Sequence, residues 1–216
     1  MILLRRRGMY KAGELPAGYK LCEWLSSKDD AYLIIDYYPK IGDAVEIYFS
    51  VDRKRDFDAP IYAISEYDSG RQLAVLVGYD NSYFKYFTSG AASPVQNSYF
   101  TSYVGSEPRK LVIDKDGRLR SYTGALITSG EVQKDKKEVN ASLFLFERSD
   151  HKHHFSGKIG TVTFTRGAEK SLNLIPCLNE HNMPCMYDTV SGKSYYNKGT
   201  GTFGYKLLQE KETILN

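Results

Sequence analysis

The sequence predicts an all-β fold, a two-sheet antiparallel sandwich. Three observations predict it. Short runs rich in β-branched and aromatic residues recur along the chain, punctuated by turn formers. Several of these runs alternate apolar and polar residues, which gives each strand one buried and one open face. Tyrosine and phenylalanine number 18 and 10 against a single tryptophan, and both suit a pleated, half-buried surface.

Taken in order, the strand signals are "AYLIIDYY" (31–38), "AVEIYFSV" (44–51), "IYAIS" (61–65), "LAVLVGY" (73–79) and "YFKYF" (83–87). They continue with "SYFTSYV" (98–104), "KLVID" (110–114), "LRSYTG" (119–124), "SLFLF" (142–146) and "GTVTFTR" (160–166). Turns fall at "DSG" (68–70), "YDNS" (79–82), "DKDG" (114–117) and "TRG" (165–167). In "VEIYFSV", Val45, Ile47, Phe49 and Val51 share one face, and Glu46, Tyr48 and Ser50 the other. In "GTVTFTR", Val162 and Phe164 oppose threonines. "KLVIDKDGRLRSY" reads as a hairpin turning at Asp116-Gly117. Helix signals are weak. "CEWLSS" (22–27) reads as a turn, and "LLQEKETIL" (207–215) as a short terminal helix anchored by Leu207, Leu208, Ile214 and Leu215. No repeat or linker divides the 216 residues, so one domain over 15–205 is expected, with an N-terminal arm (1–14) and a C-terminal tail (206–216).

Composition excludes several classes. With 42% hydrophobic and 25% charged residues, the chain is neither disordered nor membrane-like. A net charge of +3 is too weak to imply nucleic acid, and "RRR" (5–7) and "RKR" (53–55) are read first as solvated patches. No run approaches the roughly 20 apolar residues of a membrane helix. The start "MILLRRRGMYK" has its charges after a short apolar run, the reverse of a signal peptide. The expected location is a cytoplasm, or a larger assembly packaged there. Cys22, Cys177 and Cys185 make an odd count, which argues against a disulfide framework. Whether Cys177 and Cys185 pair stays open.

"DHKHHF" (150–155) holds Asp150, His151, His153 and His154, and on a strand His151 and His153 would share a face; between two strands it reads as a polar loop. His181 lies between Cys177 and Cys185 in "NLIPCLNEHNMPCMYD", but zinc ligands come two to four residues apart with a second pair elsewhere, so no metal site is expected. No run supplies a carboxylate pair facing a cleft: Asp43 and Glu46 fall on opposite sides of a strand, and "EYD" (66–68) runs into a turn. No nucleophile triad or phosphate-binding glycine loop is readable, so no catalytic residue, metal or cofactor is named and no enzyme is expected. Tyr79, Tyr83, Phe84, Tyr86, Phe87, Tyr99, Phe100 and Tyr103 crowd together. One face of these strands is core; the other either stacks on sugar rings, packs against a subunit, or merely covers a half-exposed sheet.

The C-terminal part, "FSGKIGTVTFTRGAEKSLNLIPCLNEHNMPCMYDTVSGKSYYNKGTGTF" (155–203), resembles the ending of concanavalin A-like (laminin G-like) jelly-roll domains found in bacteriophage structural proteins and gut-bacterial surface proteins. "NLIPC", "CMYD" and "SYYNKGTGTF" stand for that ending's "DFIPC", "GLYD" and "FYTNAGTGTF" elements. "ELPAGYKLCEWLSS" (14–27) is similar to the "LPxGYxxxEYIEST" opening of the same domains, and "RKLVIDKDGRLRSYTG" and "SLFLF" to their middle hairpin and strand. The chain departs where "SSKDDAYLIIDY" replaces "STGTQYIDTG" and where Cys185 replaces a glycine. In this motif Pro176 and Pro184 suit strand edges, Asp188 and Gly192 bracket a hairpin turn, Gly199 and Gly201 permit a tight return, and Cys177 and Cys185 are small buried residues on neighbouring strands.

The resemblance implies a jelly roll and, more loosely, a non-enzymatic role. Two functions are expected of such a chain. One is a virion structural or decoration protein of the capsid or tail, assembled in the host cytoplasm and held to other virion proteins through the arm and the tail. The other is a carbohydrate-binding module or phage adhesin that recognises host surface glycans. Neither nucleic acid nor membrane is an expected partner, and the sequence names no individual ligand-binding residue.

Overall fold

The computed structural model describes residues 15–40, 42–51, 59–66, 71–77, 84–88, 105–116, 118–122, 126–131, 141–147 and 154–208, with side chains in 15–40, 42–51, 109–116, 120, 141–147 and 154–208. Every regular element among them is a strand: β1 (Lys20–Lys28), β2 (Leu33–Ile35), β3 (Ala44–Val51), β4 (Ala59–Glu66), β5 (Arg71–Val77), β6 (Phe84–Thr88), β7 (Gly105–Ile113), β8 (Arg118–Tyr122), β9 (Leu126–Glu131), β10 (Leu143–Leu145), β11 (Gly157–Arg166), β12 (Glu169–Leu178), β13 (Pro184–Asp188), β14 (Ser194–Tyr196) and β15 (Thr202–Leu207).

Among the described residues they form two antiparallel sheets. The large one runs β14-β13-β12-β1-β11-β3-β7-β8-β9, with β15 on β1 and a further β12–β11 pairing. The small one runs β2-β10-β4-β5-β6. The alternation in the sequence sets the layers. Val45, Ile47, Phe49 and Val51 of β3 are buried, and so are Leu25, Ile159, Val162, Phe164, Leu172, Leu174 and Met186 of its neighbours. They share one core with Leu33, Ile35, Leu143 and Leu145 of the small sheet. Each such side chain contributes about 1.5–3 kcal/mol when fully buried. Phe146 packs against Phe203 and Phe155, with ring centroids 5.3 and 6.2 Å apart.

The large sheet forks at β11. Its first half pairs with β1 (Leu25↔Ile159, Ser26↔Lys158), its second half with β12 (Val162↔Leu174 to Arg166↔Glu169). The end of β12 then meets the start of β1 (Leu21↔Cys177, Lys20↔Leu178). Pro176 lies in the gap between these two pairings. Lacking an N–H, it has no bond to give to either neighbour. The proline therefore marks an interior fork, where an edge was expected.

Three further expectations are corrected, and the tight return at two glycines is explained. Residues 22–27 form part of β1, not a turn; a register shift between Cys22 and Trp24 breaks the alternation that would have announced the strand. Leu207 ends β15, and the Leu208 N–H donates to the Leu21 carbonyl at 3.0 Å, so both leucines serve the sheet instead of a helix. The strand signal at 31–38 shrinks to Leu33–Ile35. Gly199 and Gly201 do not adopt positive φ. They are glycines because a Cβ on either would overlap the backbone at Asp30 and Lys28. Residues 1–14 and 209–216, the arm and most of the tail, lie outside the described residues, as does the strand expected at 98–104.

Candidate functional site

Strand pairing lines up one row of residues across the large sheet. Trp24 of β1 pairs with Lys206 of β15. On the other side, Leu25↔Ile159 and Ile159↔Phe49 place Trp24, Gly160 and Tyr48 in line. Tyr48 pairs with Lys110 of β7. The row lies on the face opposite the core, because Leu25, Ile159 and Phe49, one residue along each strand, are buried inward. Trp24 and Tyr48 are half-buried, two strand spacings or about 10 Å apart.

Gly160 lies between the two aromatic residues. Ile159↔Phe49 is followed by Val162↔Ile47, so Gly160 and Thr161 together oppose Tyr48 in a bulge. A Cβ on Gly160 would stand 3.2 Å from the Tyr48 Cβ and 3.3 Å from the Glu23 carbonyl oxygen. Position 160 thus lies closely packed between the Tyr48 side chain and the β1 backbone, which leaves no easy room for a side chain.

Charges surround the row. The Lys158 ammonium stands over the Trp24 ring, 5.2 Å from its centroid, and that of Lys110 over the Tyr48 ring at 5.7 Å. Lys110 also pairs with Glu46 at 2.6 Å, and Lys206 with Glu23 at 3.0 Å. Burial, and after it the Glu46 carboxylate, pushes the Tyr48 hydroxyl above its ordinary range. Burial alone would lower Lys110, but its hydrogen bond and attraction to Glu46 outweigh this and raise it. At neutral pH the row therefore carries a neutral phenol and a fully charged amine. It offers flat apolar faces, a hydroxyl and a rim of ammonium and carboxylate groups, which suits a ring-shaped polar ligand.

The other sequence candidates fall elsewhere. Asp150, His151 and His153 lie outside the described residues, as do the side chains expected to stack along 79–103. His154 forms an isolated bridge with Glu147; its Nε2 is 3.4 Å from Asp30 and its Nδ1 3.8 Å from the fully buried Glu147. Among the described residues no group of three His, Cys, Asp or Glu side chains is placed to hold a metal. The stretch around His181 is a structural turn. The Asn179 carboxamide oxygen accepts from the His181 and Met183 N–H groups at 2.9 Å, while His181 itself is exposed. Cys177 and Cys185 sit directly opposite on β12 and β13, both buried as free thiols that share a hydrogen bond, with sulfurs 3.5 Å apart. Burial pushes the nearby Cys22 thiol up to about 12. Asp188 caps its hairpin as expected, accepting from Asn173, Val190 and Ser191 N–H groups.

Sequence reasoning placed Tyr48 on the open face of its strand but missed Trp24. The signal was present: the single tryptophan lies within the run that resembles the domain's opening strand.

No protein-family model and no curated protein matches the chain. Among solved structures, it is similar to a crystal structure from Bacteroides ovatus ATCC 8483 of a protein provisionally assigned to carbohydrate binding. The TM-score is 0.55, with 10% sequence identity over 87% of this chain. The chain spans 60% of that protein's length. At this identity the likeness is one of fold, and the fold is an all-β two-sheet sandwich.

Proposed function

We propose that the chain binds carbohydrate without acting on it, through the Trp24–Gly160–Tyr48 row. The row itself carries this reading. Two half-buried aromatic residues, two strand spacings or about 10 Å apart along the sheet and on the face opposite the core, suit the flat faces of successive sugar rings. Lys158, Lys110, Glu46 and Glu23 are placed to exchange hydrogen bonds with ring substituents. The similar fold of the Bacteroides ovatus protein adds support. Catalysis is not part of the reading, because both carboxylates of the row are held by lysines.

Trp24 is the chain's one tryptophan, so its fluorescence reports the row directly. Glycans selected from an array are expected to shift that emission on titration. Trp24→Ala and Tyr48→Ala, measured calorimetrically, are expected to weaken binding about tenfold or more each, while Val190→Ala on a distant exposed hairpin leaves it unchanged. An array with no ligand, or ligands indifferent to both substitutions, would sink the reading.

The resemblance of 14–27 and 155–203 to phage jelly rolls favours a second, compatible reading: a decoration protein that carries the same row on the outside of a virion.

A further inference from the structure

We infer that the ligand of this row is an acidic glycan, a polymer whose sugars carry carboxylate or sulfate groups. The inference rests on the reading of the row as a glycan site. Its basis is where the ammonium groups stand. Each aromatic face has a lysine over it, Lys158 above Trp24 and Lys110 above Tyr48. A sugar that stacks on either ring must displace that ammonium or engage it. A neutral sugar displaces it and returns no charge, so the cation–π attraction is lost. A sugar bearing an anion at its edge keeps the ammonium in place and adds a charge-assisted hydrogen bond.

The rest of the rim points the same way. Lys206 extends the row beyond Trp24, and Lys110 extends it beyond Tyr48, so each end offers an amine. Glu46 and Glu23 occupy two of these amines in the absence of ligand. Such surface pairs are weak and screened, so an incoming anion exchanges with them at small cost. Lys110 stays protonated throughout, since Glu46 raises it from its ordinary value.

The test uses the full chain and two matched pairs of probes: polygalacturonate with its methyl ester, and dextran sulfate with dextran. Trp24 emission is followed at low and high salt, beside an array of neutral and acidic glycans. The acidic member of at least one pair is expected to bind about tenfold more tightly than its neutral partner, the scale of one charge-assisted hydrogen bond. Salt should narrow that margin. Lys158→Ala and Lys110→Ala should each reduce it, and Lys193→Ala, on a distant exposed ion pair, should not. The uronate pair and the sulfate pair distinguish the two sources of negative charge. Equal or tighter binding of neutral glycans, still dependent on Trp24 and Tyr48, overturns the acidic inference and leaves the glycan reading standing. Acidic binding that falls as much with Lys193→Ala as with Lys158→Ala is general charge attraction and also overturns it. Silence across probes and array removes both.

Discussion

Asp43 holds together one end of the sandwich. Its side chain is 3% exposed, and Arg166 grips it through Nε at 2.9 Å and Nη2 at 2.8 Å. The Tyr37 hydroxyl and the Lys40 N–H each donate to Oδ2 at 2.9 Å. Burial by itself would raise this carboxyl, but the donors from Arg166, Lys40 and Tyr37 outweigh it and hold Asp43 below its ordinary value. Burial also pushes Tyr37 up to about 12, so it stays a donor at any ordinary pH. A carboxyl with a lowered folded-state pKa stabilises fully above its unfolded value, near 3.8, and loses that contribution as pH falls through the folded value. Asp43→Asn is therefore expected to cost on the order of 2 kcal/mol at neutral pH, discounted because Arg166 is half exposed. Urea denaturation should show the gap between wild type and variant closing below about pH 4.

The closing strand depends on close approach between segments far apart in sequence. Asn197 accepts from the Tyr32 and Gly199 N–H groups and donates to the Gly199 and Gly201 carbonyls, which ties the segment before β15 to the β1–β2 connection. Gly201 lies where a Cβ would overlap the Lys28 carbonyl oxygen and crowd Asp30 and Ala31. That obstacle is backbone, with no flexible side chain to move aside. Gly201→Ala is expected to destabilise by about 3 kcal/mol or more, and a thermal melt should show it as a drop of roughly 10 °C. A melt within a degree or two of wild type would contradict this packing argument. The same logic explains why the β11 fork carries Gly160 and Thr161 beside Pro176. Two strands part there, and the residues in the gap either lack a side chain, share one ladder position or lack a donor.

At the level of the whole molecule, the start of β1 and the end of β15 lie side by side (Cys22↔Leu207), so both ends of the described chain leave from the same end of two paired strands. An arm and a tail starting there suit a subunit held by its neighbours, which is the virion reading. Removing residues 1–12 is expected to abolish incorporation into particles and leave the β-domain folded, as judged by particle mass spectrometry beside circular dichroism. Normal incorporation of the truncated chain would end that reading. The sequence by itself determined that the chain is built of strands, that Val45, Ile47, Phe49 and Val51 of β3 face the core, the β7–β8 hairpin turning after Asp114 and the capping role of Asp188, because these depend on period, turn chemistry and neighbours within a few residues. Its alternating strands also announced the two-sheet sandwich. What only the tertiary structure decided was the register between distant strands. Gly160 lies over a hundred residues along the chain from Trp24 and Tyr48, and the three become one row only when β1, β11 and β3 pair. Local alternation sets the face Tyr48 takes, but no local pattern sets which residue of a distant strand lies beside it.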